Sequence, residues 1–141
     1  MNANQQAALE SLAGRAMTAG EIALASARDD ADLATSLSVG RTATVSTKVG
    51  IGAVLNALGA VNGAAFLDAM EALAPTVSPI KWGLVLLDAG VFDVGDPVSI
   101  AMINQLVPGS IPQATATLLL ALAVVPAPIS TDQVSAILNG V

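Results

Sequence analysis

Three aspartates near the middle of the chain have the spacing that comes closest to a reactive site. Asp88, Asp93 and Asp96 stand in the segment LDAGVFDVGDP, with glycines between them. Carboxylate oxygens grouped in this way could hold Ca²⁺ or Mg²⁺ for a metal-dependent hydrolase. The segment lacks the alternating acidic positions and the closing glutamate of a calcium loop, and Asp96 before Pro97 has the form of a helix cap. We therefore favour a turn role for Asp93, which would bond its own backbone, and a cap role for Asp96, and we expect no metal.

Other familiar chemistry is restricted by the residue inventory. The 141 residues include no cysteine and no histidine, which excludes thiolate nucleophiles and imidazole bases. A serine nucleophile would need Lys48 or Lys81 as its base, and no spacing specifies that pair. Gly50 and Gly52 lack the further glycine or the Lys-Ser/Thr of a phosphate loop, and the acidic segment 28–32 is typical of a solvated helix start. We expect no catalytic residue, no cofactor and no enzymatic activity.

The elements that would position these residues are predicted to be helical. Alanine and leucine dominate, and glycine or proline interrupts the chain about every dozen residues, a pattern typical of short helices joined by tight turns. We expect an all-α fold, a compact bundle of six or seven short helices with one extended connector near residues 41–45. A single domain is expected over 1–141, with N-terminal helices in 1–40 and the main helical body in 46–141.

Capping signals mark where these helices begin. A serine or threonine followed three residues later by Glu or Gln is the sequence form of a capping box. The helix that ends before Thr18 and the helix that begins after it could also be one kinked helix. Capping boxes are expected at Thr18–Glu21, Ser110–Gln113 and Ser130–Gln133, and single caps at Asp29 or Asp30, Ser46, Ser78 and Asp96.

The charge distribution argues against nucleic acid and membrane as partners. The net charge is −6, and no basic residue follows Lys81, whereas a duplex-binding surface needs several Lys or Arg facing phosphates. The most apolar run, 118–125, is far shorter than the roughly 20 residues of a bilayer span. The first residues, MNANQQAALESLAG, lack the charged and apolar regions of a signal peptide.

The shortage of charge also points to an interface. Only 11% of residues are charged against 54% hydrophobic, and residues 97–131 carry no charge at all. Bare contiguous surface usually marks contact with another protein, so we expect a homo-oligomer or a multi-copy symmetric assembly. Trp82 is either a partner anchor or a core residue, since a lone tryptophan in an alanine-rich helical domain commonly fills the core. The interface candidates are Trp82, Ile103, Leu106, Leu118, Leu119 and Leu122.

Three segments resemble a family of short, alanine-rich helical proteins that tailed bacteriophages encode among their structural and tail genes. They are ARDDADLATSLSVGRTATVSTKVGIGAVLNALG, DAGVFDVGDPVSIAMINQLVPGSIPQATATLLLALA and PAPISTDQVSAILN, and they cover most of the chain from Ala27 onward. The resemblance implies a virion structural protein with no catalytic residues, made in the bacterial host cytoplasm. It would be a multi-copy accessory of the tail, baseplate or fibre-attachment apparatus that contacts other virion structural proteins. A head–tail connector, a capsid-associated protein or an assembly chaperone remains the alternative.

Overall fold

The computed structural model describes residues 1–140, and within that part of the chain it has nine α-helices of 8 to 14 residues. Short turns join them. They are α1 (Ala3–Ala13), α2 (Ala19–Ala27), α3 (Asp30–Ser38), α4 (Ile51–Leu58), α5 (Ala60–Leu73), α6 (Ser78–Asp88), α7 (Pro97–Gln105), α8 (Gln113–Ala121) and α9 (Thr131–Asn139).

The protein is mainly helical, but the expectation of an all-α fold with six or seven helices is not exact. Gly14 adopts a φ of 72° that ends α1, and Thr18 caps a new helix, so these two helices are separate rather than one kinked helix. Four short strands also form two small sheets, in which β1 (Thr42–Thr44) pairs with β4 (Val124–Pro126) and β2 (Lys48–Val49) with β3 (Phe92–Asp93). The extended connector expected near residues 41–45 is present as β1.

The chain divides into two compact units, where composition had predicted a single domain. The first unit comprises Met1–Ala43 and the segment from Pro126 onward, and the second comprises Thr44–Val125. A boundary therefore does fall within the connector at 41–45. The segment that holds α9 belongs with the N-terminal helices, however, and not with the main body expected over 46–141.

The first unit has its own core, which explains why α9 joins the N-terminal helices. Arg28 donates from Nη1 to the Leu138 carbonyl at 3.0 Å and from Nη2 to the Asn139 side chain at 2.6 Å. Gln5 Nε2 donates to the same carbonyl at 2.8 Å, so two distant segments cap the end of α9. The buried apolar cluster consists of Leu9, Ala13, Met17, Ala25, Leu33, Ala34, Leu37, Ile129, Val134 and Leu138.

The second unit is built around a larger apolar cluster. Three of the predicted interface candidates, Ile103, Leu106 and Leu119, lie in it with 2% exposure or less, because α7 and α8 turn these positions towards the other helices. They hold the unit together and are not surface residues, which corrects their assignment. The antiparallel β2–β3 pair places Val49 opposite Phe92. The rest of the cluster includes Val54, Leu58, Phe66, Met70, Ile80, Leu87, Val94, Met102, Ile111, Ala116 and Ala123.

Local capping signals predict the starts of four helices, α2, α3, α7 and α9, correctly. Both hydrogen bonds of the capping box are present at Thr18–Glu21 and at Ser130–Gln133. Asp29 accepts from the N–H of Asp32 at the start of α3, as expected of an N-cap. These signals succeed because the bonds join residues only three positions apart and need no tertiary partner.

Three expected caps are absent. Ser110 belongs to the turn after α7, where its N–H donates to the Leu106 carbonyl, and α8 has Pro112 at its N-cap position without a side-chain bond. Ser78 is the first residue of α6, with Val77 at the cap position. Ser46 starts no helix, because β2 follows it and α4 begins at Ile51.

Candidate functional site

Asp93, one of the three aspartates considered as a metal site, is instead the centre of a turn. Its Oδ1 accepts from the N–H groups of Thr47 at 2.8 Å and Gly95 at 2.9 Å, and its Oδ2 accepts from the Ser46 hydroxyl. The Ser46 bond, followed by those from the backbone, lowers the pKa of Asp93 because each bond favours the charged carboxylate. The bond from Gly95 is the local one that a turn aspartate makes, as the sequence predicted.

The two neighbouring aspartates have separate positions. Asp96 caps α7 through bonds from the N–H groups of Val98 at 3.0 Å and Ser99 at 3.2 Å, as predicted. Asp88 is the exposed last residue of α6. Within residues 1–140, no group of three or more His, Cys, Asp or Glu side chains is arranged to hold a metal ion.

A buried carboxylate in the first unit is the most strongly perturbed ionisable group. Glu21 is 2% exposed, and Arg15 donates to it in a bidentate pair at 2.6 and 2.9 Å. The N–H and hydroxyl of Thr18 and the hydroxyl of Ser36 also donate to it. These bonds, the one from Arg15 foremost, hold the pKa of Glu21 well below its ordinary value despite the cost of burial. Both carboxylate oxygens thus accept hydrogen bonds from groups of the protein itself, which is typical of a structural cluster.

The sequence identified only part of this cluster. The spacing of Thr18 and Glu21 predicted the capping box. Nothing local indicated that Arg15 would fold back from the turn after α1, or that Ser36 would approach from α3. The available sequence signal was Arg15 itself, a single arginine that stands close to the capping box in an alanine-rich segment.

The first unit also has a pocket of about 380 Å³. Its lining contains amides, aliphatic groups and backbone, and no ionisable side chain. Such a surface offers neither a nucleophile nor an acid–base pair. The lining residues are Asn2, Asn4, Gln5, Ala8, Ile137 and Gly140.

The most distinctive surface of the second unit is an exposed apolar face on α6, which we call the α6 face. It consists of Trp82, Val85, Leu86 and Ala89, whose spacing of i, i+3, i+4 and i+7 places them on one side of the helix. Trp82 is 61% exposed, Val85 51% and Leu86 44%. Large apolar side chains in such a continuous row are unusual on the surface of a monomer.

The α6 face exists because α6 is apolar on both sides. Ile80, Gly83 and Leu87 lie on the opposite side and are buried in the second unit. Gly83 leaves room for the Met102 side chain, which a Cβ at this position would approach within 2.8 Å. Trp82 is thus turned outward and does not fill the core. A helix with two apolar sides was the sequence signal for Val85, Leu86 and Ala89 as surface candidates.

A second apolar face lies on α8, which we call the α8 face. Leu118 and Leu122 are 49% and 36% exposed, and Ala114 and Ala121 accompany them on the same side of the helix. No charged residue occurs on this helix or anywhere in residues 97–131. Of the six predicted interface candidates, Trp82, Leu118 and Leu122 are therefore on the surface.

No family model, curated protein or solved structure matches this chain. Within residues 1–140, none of the helices combines the length and the apolar character that crossing a membrane requires.

Proposed function

We propose that this chain is a non-enzymatic structural protein of a tailed bacteriophage particle. It is present in several copies as an accessory of the tail, baseplate or fibre-attachment apparatus, and it contacts other virion structural proteins. The observation that carries the proposal is the pair of exposed apolar faces on α6 and α8. The family resemblance of the segments from Ala27 onward supplies the phage context.

The two apolar faces are unfavourable as long as they are exposed to water. Removing apolar surface from water contributes roughly 25 cal/mol for each Å², and the entropy cost of association offsets part of this gain. In a single chain the α6 face and the exposed Leu118 and Leu122 on α8 stay in contact with water. The favourable free energy of their burial is therefore not gained. Contact through both helices would give each copy more than one neighbour, which a symmetric particle requires.

Three other assignments use the same surfaces. A head–tail connector or a capsid-associated protein would also be held in the particle by apolar helix faces. An assembly chaperone would cover such faces on another phage protein and then leave. The location of the chain in the finished particle separates all three from the tail accessory.

The test is mass spectrometry of purified particles, followed by a density map of the intact virion. We expect several copies per particle, located in the tail or baseplate. Location at the neck or in the capsid would replace the tail assignment by the first alternatives. Abundance in the lysate together with absence from particles would overturn the structural role in favour of a chaperone.

A further inference from the structure

The α6 face is bordered by two opposite charges on the same edge. Lys81 stands near the start of α6 and Asp88 at its end, and both are exposed. Because they are seven residues apart, or two helical turns, they lie one above the other beside the apolar row. The Lys81 ammonium lies over the Trp82 ring, 5.4 Å from its centroid. The other edge of the face carries Pro79 and no charged residue of α6.

We propose that the occupant of the α6 face is the α6 face of a second copy of this chain, in an antiparallel pair about a two-fold axis. The inference deepens the proposed function, and it rests on that proposal only for the presence of several copies in one particle. It assigns the contact to Trp82, Val85, Leu86 and Ala89, and the direction of the pair to Lys81 and Asp88.

The charge pattern specifies the direction. In an antiparallel pair about a two-fold axis, the same edge of each helix meets its equivalent, so Lys81 of one copy faces Asp88 of the other. The symmetry repeats the contact, which gives two ion pairs per dimer. In a parallel pair opposite edges meet, and Lys81 and Asp88 would face the uncharged edge that carries Pro79. The sequence is thus self-complementary in the antiparallel arrangement only.

The apolar row and the two charged residues place the two-fold axis at nearly the same point along α6. The apolar row from Trp82 to Ala89 has its midpoint between Val85 and Leu86. The midpoint of Lys81 and Asp88 lies one residue earlier, a displacement of about 1.5 Å along a helix. A single axis therefore centres the apolar contact and aligns both ion pairs.

A contact of this size associates weakly in solution. One helix crossing buries less than the roughly 1,200 Å² at which stable interfaces begin. We expect a dissociation constant of about 10 µM to 1 mM for the isolated protein. In a particle the effective concentration is higher, because other contacts hold the copies close together.

Charge reversal tests the pairing directly. Sedimentation velocity over a concentration series measures the dimer dissociation constant for the full chain and for Lys81→Asp, Asp88→Lys and the double variant. Each single reversal places like charges opposite each other twice, and we expect it to raise the constant about tenfold. The double reversal restores opposite charges, and its constant returns to within about threefold of the unmodified protein.

Glu71→Lys is the matched control for Asp88→Lys. It makes the same change in net charge at an exposed position on a different helix, α5. Asp88→Lys also reduces the overall negative charge, which by itself favours association, so weaker dimerisation must come from the local contact. All these positions are exposed, and far-UV circular dichroism checks that each variant is folded.

Fluorescence gives a second readout, because Trp82 is the one tryptophan of the chain. Its emission should shift to shorter wavelength as concentration rises, since the pair removes the ring from water. A protein that stays monomeric at all concentrations would overturn the inference. So would a dissociation constant that the single reversals leave unchanged, or a double variant whose dissociation constant is as high as those of the single variants. None of these outcomes changes whether the chain is found in particles, so failure here is distinguishable from failure of the proposed function.

Discussion

Replacing Glu21 by Gln would remove the charge from the centre of the first unit while keeping the shape of the side chain. The carboxylate accepts five hydrogen bonds, two of them from Arg15. The amide of Gln offers one oxygen acceptor in their place and turns an NH₂ group towards donors. The substitution therefore leaves buried donors without partners, and this is the main source of its cost.

The magnitude follows from the burial of the two partners. Breaking a fully buried ion pair costs about 3–5 kcal/mol. The side chain of Arg15 is 39% exposed and regains water when its partner is lost, whereas that of Glu21 is 2% exposed. The oxygen of the Gln amide can also still accept the hydrogen bond from the Thr18 N–H, which is part of the capping box. We expect Glu21→Gln to lower the free energy of unfolding by about 2–3 kcal/mol at neutral pH.

The pH dependence has a definite sign. The folded protein holds the pKa of Glu21 below its ordinary value, so the carboxylate stabilises the fold above the pKa of the unfolded chain. This stability is lost as the pH falls towards the lower pKa of the folded state. The difference between the protein and Glu21→Gln should therefore narrow progressively below about pH 5.

The assay is urea denaturation followed by far-UV circular dichroism, at neutral pH and at several acid pH values. Helix signal is preferred to fluorescence because Trp82 lies in the other unit. Glu71→Gln makes the same chemical change at an exposed position and should alter stability by less than about 0.5 kcal/mol. A Glu21→Gln protein as stable as the unmodified one, or a difference that persists unchanged into acid, would refute the reasoning.

Two further substitution pairs test the second unit by the same denaturation measurement. Leu119→Ala should lower the free energy of unfolding by about 2–5 kcal/mol because Leu119 is buried. Leu118→Ala, at the adjacent exposed position, should change it by less than about 0.5 kcal/mol. Equal effects of the two substitutions would contradict the assignment of core and surface. Gly95→Ala should cost more than about 2 kcal/mol, since a Cβ there would overlap the Val45 carbonyl. Gly52→Ala, in open space on α4, should instead stabilise by up to about 0.5 kcal/mol, and a harmless Gly95→Ala would show that the loop can move away.

Local sequence signals predicted the polar turns well. Asp96 caps α7, and the boxes at Thr18 and Ser130 form as expected. Ser46 shows the limit of such signals. It has the form of a helix cap, but its hydroxyl donates to Asp93, 47 positions along the chain. A local rule has no access to such a distant acceptor.

The sequence predicted that the candidate site would consist of apolar residues, but it identified only some of the residues that are exposed. The absence of charge in residues 97–131 drew attention to α8, where Leu118 and Leu122 are exposed; their role in an interface stays a prediction. The same stretch supplies core residues such as Ile103, since an uncharged helix has both a buried and an exposed side. Which side faces the core depends on the neighbouring helices, and composition does not record it.

The sequence by itself determined that this protein is mainly helical, where four of its helices begin, and that histidine and cysteine chemistry is excluded, because these follow from residue types and contacts three or four positions apart. Only the tertiary structure decided that α9 joins the N-terminal helices, that Arg15 and Ser36 meet Glu21, and that Trp82 faces outward. Those outcomes depend on packing between residues far apart in sequence. The free energy of such packing is shared among many side chains and is not carried by any local pattern.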